Sequence, residues 1–267
     1  MERTQRFSSL CLGILVAIGC GSSTPPEASA KTEPAMAQTP AAAPAQPAAP
    51  AAGSAAIRGT VKFTGTAPKR SRVQMDADPV CQQQHAEPVY TEEVVANEAG
   101  GLKNVLVYVK EGASGPFPAP AAPVVLDQKG CWYNPHVFGI QVNQPLQVVN
   151  NDPTLHNVNA KPTVNPPFNI AQPAIPGKAM KTEKKFAKPE VGVKFKCNVH
   201  SWMSAFAGVF EHPYFGVSDA DGNVAITGLP AGTYVIEAWH ETLGTQTQTA
   251  TVGDGESKTV EFSFSAP

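Results

Sequence analysis

The sequence predicts an all-β protein, and three observations carry that prediction. Its 267 residues include 26 prolines and 22 glycines but only 16% charged residues, a composition that disfavours long helices and coiled coils. Short runs rich in Val, Ile, Phe and Tyr recur from Ile57 onward, bounded by turn residues such as Ala99-Gly100-Gly101, Asp221-Gly222-Asn223 and Pro230-Ala231-Gly232. No stretch of ten or more residues repeats its apolar positions with a helical period. Together these describe a sandwich or barrel. The net charge of −2 supplies no basic field for nucleic acid, which excludes that class of partner. No apolar run reaches the roughly 18 residues of a membrane-spanning helix.

Taken in order, residues 1–19 read as a signal peptide, with Arg3 and Arg6 ahead of a short apolar core from Leu10 to Ile18. The core ends in Ala17-Ile18-Gly19-Cys20, which resembles a bacterial lipobox and implies acylation of Cys20. Ala17 departs from the usual Leu or Val, and an ordinary secretory peptide is the alternative. In both cases the mature chain leaves the cytoplasm for a compartment where disulfides persist. Residues 20–56 are mostly Ala, Pro, Ser and Thr, too poor in large apolar side chains to repay ordering. They read as a disordered tether reaching at most about 110 Å.

The strands expected beyond it are Ile57–Phe63, Glu92–Val95, Val105–Val109, Val124–Leu126, Val137–Val142 and Leu146–Val149. Val193–Lys196, Ala205–Phe210, Val224–Ile226, Tyr234–Ala238 and Val260–Phe264 follow. The run from Gly216 to Asn223, with Gly228-Leu229-Pro230-Ala231-Gly232-Thr233-Tyr234 after it, resembles the second half of a carboxypeptidase regulatory-like (transthyretin-like) β-sandwich. Arg58-Gly59-Thr60-Val61-Lys62 and Asn104-Val105-Leu106-Val107-Tyr108-Val109 fit the opening strands of that family. The resemblance implies a sandwich built from 57–117 and 212–267, with 118–211 inserted as a second domain; two domains in tandem are the alternative.

The inserted stretch resembles the cupredoxin family, the plastocyanin- and amicyanin-like blue-copper proteins. Tyr133-Asn134-Pro135-His136 through Val142, then Gln144-Pro145-Leu146 and the run Asn150 to Val158, match its first half. Phe195-Lys196-Cys197-Asn198-Val199-His200-Ser201-Trp202-Met203 matches its short Cys-x-x-His-x-x-Met copper loop. The resemblance implies a Greek-key sandwich holding one copper ion by His156, Cys197, His200 and Met203. Asn157 is implied as a residue that ties the two ligand loops together. The chemistry agrees: a thiolate, two imidazoles and a weak thioether suit copper in both oxidation states.

On that reading Cys11 leaves with the signal peptide, Cys20 is lipidated and Cys197 is the free thiolate. Cys81 and Cys131 then remain as the bridge, worth about 4 kcal/mol by loop closure; a bridge from Cys197 to either is the alternative. His85, His212 and His240 have no ligand-like spacing, and His136 stays open between a packed histidine and a group at the site. Trp202 stands where Pro or Phe is usual. It is expected either to cover the copper beside an exposed edge of His200, as a docking surface, or to pack on the neighbouring sandwich.

The function expected is a non-enzymatic electron carrier outside the cytoplasm, exchanging electrons with a redox protein such as a cytochrome or oxidoreductase. Copper storage or delivery, and a structural or carbohydrate-binding surface module with a vestigial site, are the alternatives. A multi-copper oxidase or reductase is disfavoured because the chain has no His-x-His pair.

Overall fold

A computed structural model describes residues 53–266. The first strand, β1 (Ala55–Thr64), is followed by one short helical turn, α1 (Pro79–Gln82), and by β2 (Leu106–Glu111). Then come β3 (Val124–Gln128), β4 (Tyr133–Asn134), β5 (Val137–Gln141), β6 (Leu146–Asn150), β7 (His156–Lys161) and β8 (Phe168–Gln172). They are followed by β9 (Met180–Lys184), β10 (Glu190–Lys196), β11 (Ser204–Phe210) and β12 (Phe215–Val217). The last are β13 (Asn223–Leu229), β14 (Gly232–His240), β15 (Gly244–Val252) and β16 (Ser257–Ser265). The protein is all-β.

Four sheets form two sandwiches. Sheets β13-β1-β16 and β12-β2-β14-β15 enclose one core, built around Ile57, Val107, Val109, Leu229, Ile236 and Phe262. Sheets β5-β11-β10-β7-β8 and β4-β3-β6-β9 enclose a second, built around Leu126, Tyr133, Ile140, Leu146, Val158 and Phe195. The strands of the first thus come from both sides of the chain segment that forms the second.

The sandwiches lie face to face. Leu106 and Tyr108 of β2, Val137 of β5 and Phe206 and Phe210 of β11 form a third apolar cluster, with Phe215, Val217 and Trp239 against it. This explains why β2 reads as a continuous apolar run: Val107 and Val109 face their own core, while Leu106 and Tyr108 face the other sandwich. On β11, Gly208 lies so close to Leu106 that a Cβ would stand 2.4 Å from its side chain, so only glycine permits this approach.

The segment between β1 and β2 forms an arm. It pairs Val73 with Val89 through the backbone and places Met75 and Cys81 in the second core, not the first. Asp78 caps α1 by accepting a 2.9 Å bond from the Val80 N–H, and Pro79 follows as the first helical residue, where its missing N–H costs nothing. Cys81 is bridged to Cys131, so the arm is stapled to the second sandwich.

Several expectations need adjustment. The expected tether ends at residue 56, but Ala55 is buried and pairs with Leu229, so β1 begins there. Glu92–Val95 is not a strand; Glu92 spends its carboxylate on the Trp132 indole N–H (2.5 Å) and Lys103. Strands β4, β7, β8, β9, β12 and β15 are not among those expected. The signal peptide, Cys20 and most of the tether lie outside the described residues. Among the described residues, no helix is long and apolar enough to cross a membrane.

Candidate metal centre

Two loops at one end of the second sandwich supply the site. The first joins β6 to β7 and is built by Asn150, whose side chain donates to the carbonyls of Thr154 (3.0 Å) and Gln172 (2.7 Å). The Asn150 Oδ1 accepts the Asp152 N–H at 2.9 Å. This fixes Asp152 and, four residues on, His156 at the start of β7. The second joins β10 to β11. The Cys197 N–H donates to Met203 O (3.2 Å) and the Met203 N–H to His200 O (3.0 Å), closing a tight turn that holds Cys197 and His200 together.

Asn157 links the two loops by hydrogen bonds. Its Oδ1 accepts the Asn198 N–H at 2.7 Å and lies 3.5 Å from Cys197 Sγ, while its Nδ2 donates to Asn169 at 2.6 Å.

The side chains of His156, Cys197 and His200 converge: one ligand atom from each lies within 4.8 Å of the others. His156 Nδ1 and His200 Nδ1 are 2.9 Å apart, and Cys197 Sγ is 4.0 Å from His200 Nδ1. Relative exposures of 0%, 2% and 3% for His156, Cys197 and His200 exclude bulk water from this set. Met203 is fully buried in the same core.

The charged groups at the site act on one another. Burial opposes ionisation of Cys197, yet the His156 bond and the loop N–H groups, including that of His200 at 3.3 Å, hold its pKa below the usual thiol value. Burial likewise disfavours charged His156, but Asp152 and Cys197 raise its pKa overall. Two ring nitrogens facing each other beside an acidified thiol are three donors of the type that binds copper.

Each imidazole has a carboxylate at its far nitrogen. Asp152 Oδ2 stands 2.8 Å from His156 Nε2, and the same carboxylate accepts the N–H groups of Gly130 and Cys131 at 2.7 Å each. Asp78 Oδ2, on the arm, stands 2.9 Å from His200 Nε2. Burial works against both carboxylates, but these bonds lower both pKa values overall. Neither was singled out from the sequence. Asp152 had a signal, a carboxylate four residues before a ligand candidate; Asp78, 122 residues from His200, had none.

The disulfide joins Cys81 to Cys131, and Cys197 is free. Trp202 donates from Nε1 to Cys131 O at 3.0 Å, with its ring centroid 5.0 Å from that of His200. The expected exposed edge of His200 is absent, because Asp78 and the stapled arm cover it. Trp202 packs on the staple instead. His136 takes no place in the cluster: its Nε2 bonds Glu241 at 2.5 Å and its Nδ1 bonds Ser204 O at 3.1 Å. His85, His212 and His240 also bond elsewhere, to Gly130 O, Val109 O and the N–H groups of the β14–β15 turn.

Part of the chain is similar to several solved structures. A copper-containing nitrite reductase from Thermus scotoductus SA-01 matches with TM-score 0.28 and 23% identity, over 39% of this chain and 25% of that one. A reduced amicyanin variant matches with TM-score 0.29 and 19% identity, over 39% and 97%. A purple cupredoxin from Nitrosopumilus maritimus matches with TM-score 0.26 and 22% identity, over 33% and 98%. The chain therefore spans only a quarter of the reductase. No protein-family model and no curated protein matches it.

Proposed function

We propose that this chain is a mononuclear blue-copper protein that carries single electrons between redox partners outside the cytoplasm. The observation that carries the reading is the convergence of two imidazole nitrogens and one acidified, water-excluded thiol at the end of a sandwich. His156, Cys197 and His200 would hold the ion, with Met203 as a weak fourth ligand. Copper, when bound, supplies a one-electron couple.

The chain's own residues supply rigidity. Cys197 and His200 are fixed by one turn, His156 by the Asn150 network, and Asn157 locks the loops to each other. Donors held in this way move little when the charge at their centre changes, and that favours fast electron exchange over metal release. Burial of all four proposed ligands disfavours the storage or delivery reading for the same reason. Leu155 and Val199, each next to a histidine ligand, are exposed apolar residues that a redox protein partner can touch.

The site lies in a cupredoxin-like domain inserted into a carboxypeptidase regulatory-like sandwich, a reading supported by the two-sided origin of the first sandwich. The disulfide supports an oxidising compartment. Acylation at Cys20 would anchor the domain to a membrane through the tether.

Copper-loaded protein is expected to show an intense thiolate-to-copper absorption in the visible and a single-copper EPR signal. Cys197→Ser should abolish the absorption and leave the far-UV circular dichroism unchanged. Wild type that takes up copper without that band overturns the reading.

A further inference from the structure

The two carboxylates at the site come from unrelated places. Asp152 lies on the β6–β7 loop, inside the sandwich that carries the ligands, and its side chain is fully buried. Asp78 comes from the arm between β1 and β2, brought over by the Cys81–Cys131 bridge. Each meets the nitrogen of one imidazole that faces away from Cys197, at 2.8 and 2.9 Å. Both Nδ1 atoms are thereby turned inward.

An imidazole has one lone pair and one N–H when neutral, and the partner of one nitrogen decides which tautomer is present. A carboxylate has no proton to give at neutral pH, so Nε2 must donate to it, which leaves Nδ1 of each ring to offer its lone pair to a bound ion; without one, the two Nδ1 atoms share a hydrogen bond at 2.9 Å. Two such pairs pre-set both rings as ligands through Nδ1 and make them stronger donors. Both carboxylates also place negative charge one ring away from the ion. Negative charge in a low-dielectric setting stabilises the more positive oxidation state.

We infer that Asp152 and Asp78 are the positioning residues of the centre, fixing both imidazoles with Nδ1 inward and holding the reduction potential of the bound copper down. This rests on the copper reading above. Asp152 acts on a ligand from within the same sandwich. Asp78 acts from a separate arm and covers His200 while doing so; it also accepts from Thr154 Oγ1 at 3.1 Å, which ties the arm to the first ligand loop. The Cys81 sulfur, 3.6 Å from His200 Nε2, is only a weak alternative acceptor.

Two measurements test this on the full chain. In metal-free protein, ¹⁵N–¹H spectra of the imidazoles should show protons on Nε2 of both His156 and His200. Asp78→Ala should alter the His200 signals and leave His156 unchanged, and Asp152→Ala the reverse. In copper-loaded protein, Asp78→Asn and Asp152→Asn should each keep the visible band and raise the reduction potential, Asp152→Asn more because its side chain is wholly buried. Asp78→Glu should return the potential toward the wild-type value. If Asp152 variants do not fold, Asp78→Asn, which alters a partly exposed arm, decides alone. Wild-type tautomers and potential in Asp78→Asn overturn the inference. Failure of wild type to show the copper band overturns the copper reading instead, and the metal-free spectra still decide whether the carboxylates set the rings.

Discussion

Most buried polar side chains of the first sandwich are partnered one at a time, with Asn104 Nδ2 left unpartnered. Ser218 accepts from Val105 N–H and donates to Leu102 O; Glu237 is shared by Tyr108, Lys110 and Thr247; His240 accepts N–H groups of its own turn. In the second sandwich Asp152, His156, Asn157, Cys197 and His200 converge on one another at a single end. A buried polar group costs a few kcal/mol unless partnered. The first arrangement offsets that cost locally, as a structural core does. The second gathers donor groups around a shared centre, the arrangement from which the copper reading is proposed. Polar burial therefore separates the supporting sandwich from the one proposed to be the working sandwich, although both have full apolar cores.

The largest effect that would test this division is a cavity in the supporting core. Phe262→Ala removes a fully buried ring from the first sandwich and should cost about 3–5 kcal/mol in chemical denaturation. The copper band of the folded fraction should be unchanged. If the band disappears while the far-UV spectrum persists, the two sandwiches are not separable in this way.

The joint between them is tested by Glu241→Gln. Glu241 follows β14 of the first sandwich and bonds His136, which precedes β5 of the second. Burial of His136 opposes its charge, but the Glu241 bond and charge raise its pKa above the ordinary imidazole value overall. A raised folded-state pKa contributes stability that is fully present below about pH 6.5 and lost as pH rises through the folded value. Nearby His240, pushed down to about 4 by burial and by His136, is neutral above pH 7 and does not interfere. Glu241→Gln should cost about 1–3 kcal/mol at pH 6.5 and less at pH 9. A cost that grows with pH would contradict the assignment.

Within the working sandwich, Met203→Leu is expected to change stability by less than about 1.5 kcal/mol, since it conserves volume. It should keep copper and the visible band but raise the reduction potential by removing a donor to the oxidised ion. Voltammetry that shows no shift would make Met203 a core residue only. The smallest effect belongs to the exposed Lys62–Glu261 pair on the first sandwich, at 3.0 Å. Lys62→Ala should alter stability by no more than about 0.5 kcal/mol, and by less still in high salt. A larger cost would mean that the outer strands depend on charge.

Strands with strong apolar runs, such as Ala205–Phe210 and Val137–Val142, were legible because at least one face of each is covered. Those missed show why pattern reading stops. β15, Gly244-Thr245-Gln246-Thr247-Gln248-Thr249, is polar nearly throughout because it is an edge strand, mostly exposed and held by backbone pairing to β14. β9 is lysine-rich for the same reason. The loops that carry the proposed ligands were readable because each loop's residues are spaced within a few positions of one another. The arm was not: Asp78 meets His200 only through a bridge whose position depends on the whole fold. The sequence therefore showed the donors and left their cover unseen.

The parallel pairing of β1 with β16 bears on the order of assembly. Lys62 and Glu261 are 199 residues apart, yet they lie side by side. Strands β3 to β11 are already made when β16 is still to come, so the second sandwich can close first during synthesis. The supporting sandwich must wait, with the apolar face of β1 uncovered until the final strand arrives. Pairing over such a separation is slow because the chain must search before contact rewards it. A folding helper that shields β1 in this interval would act while that apolar face is still uncovered.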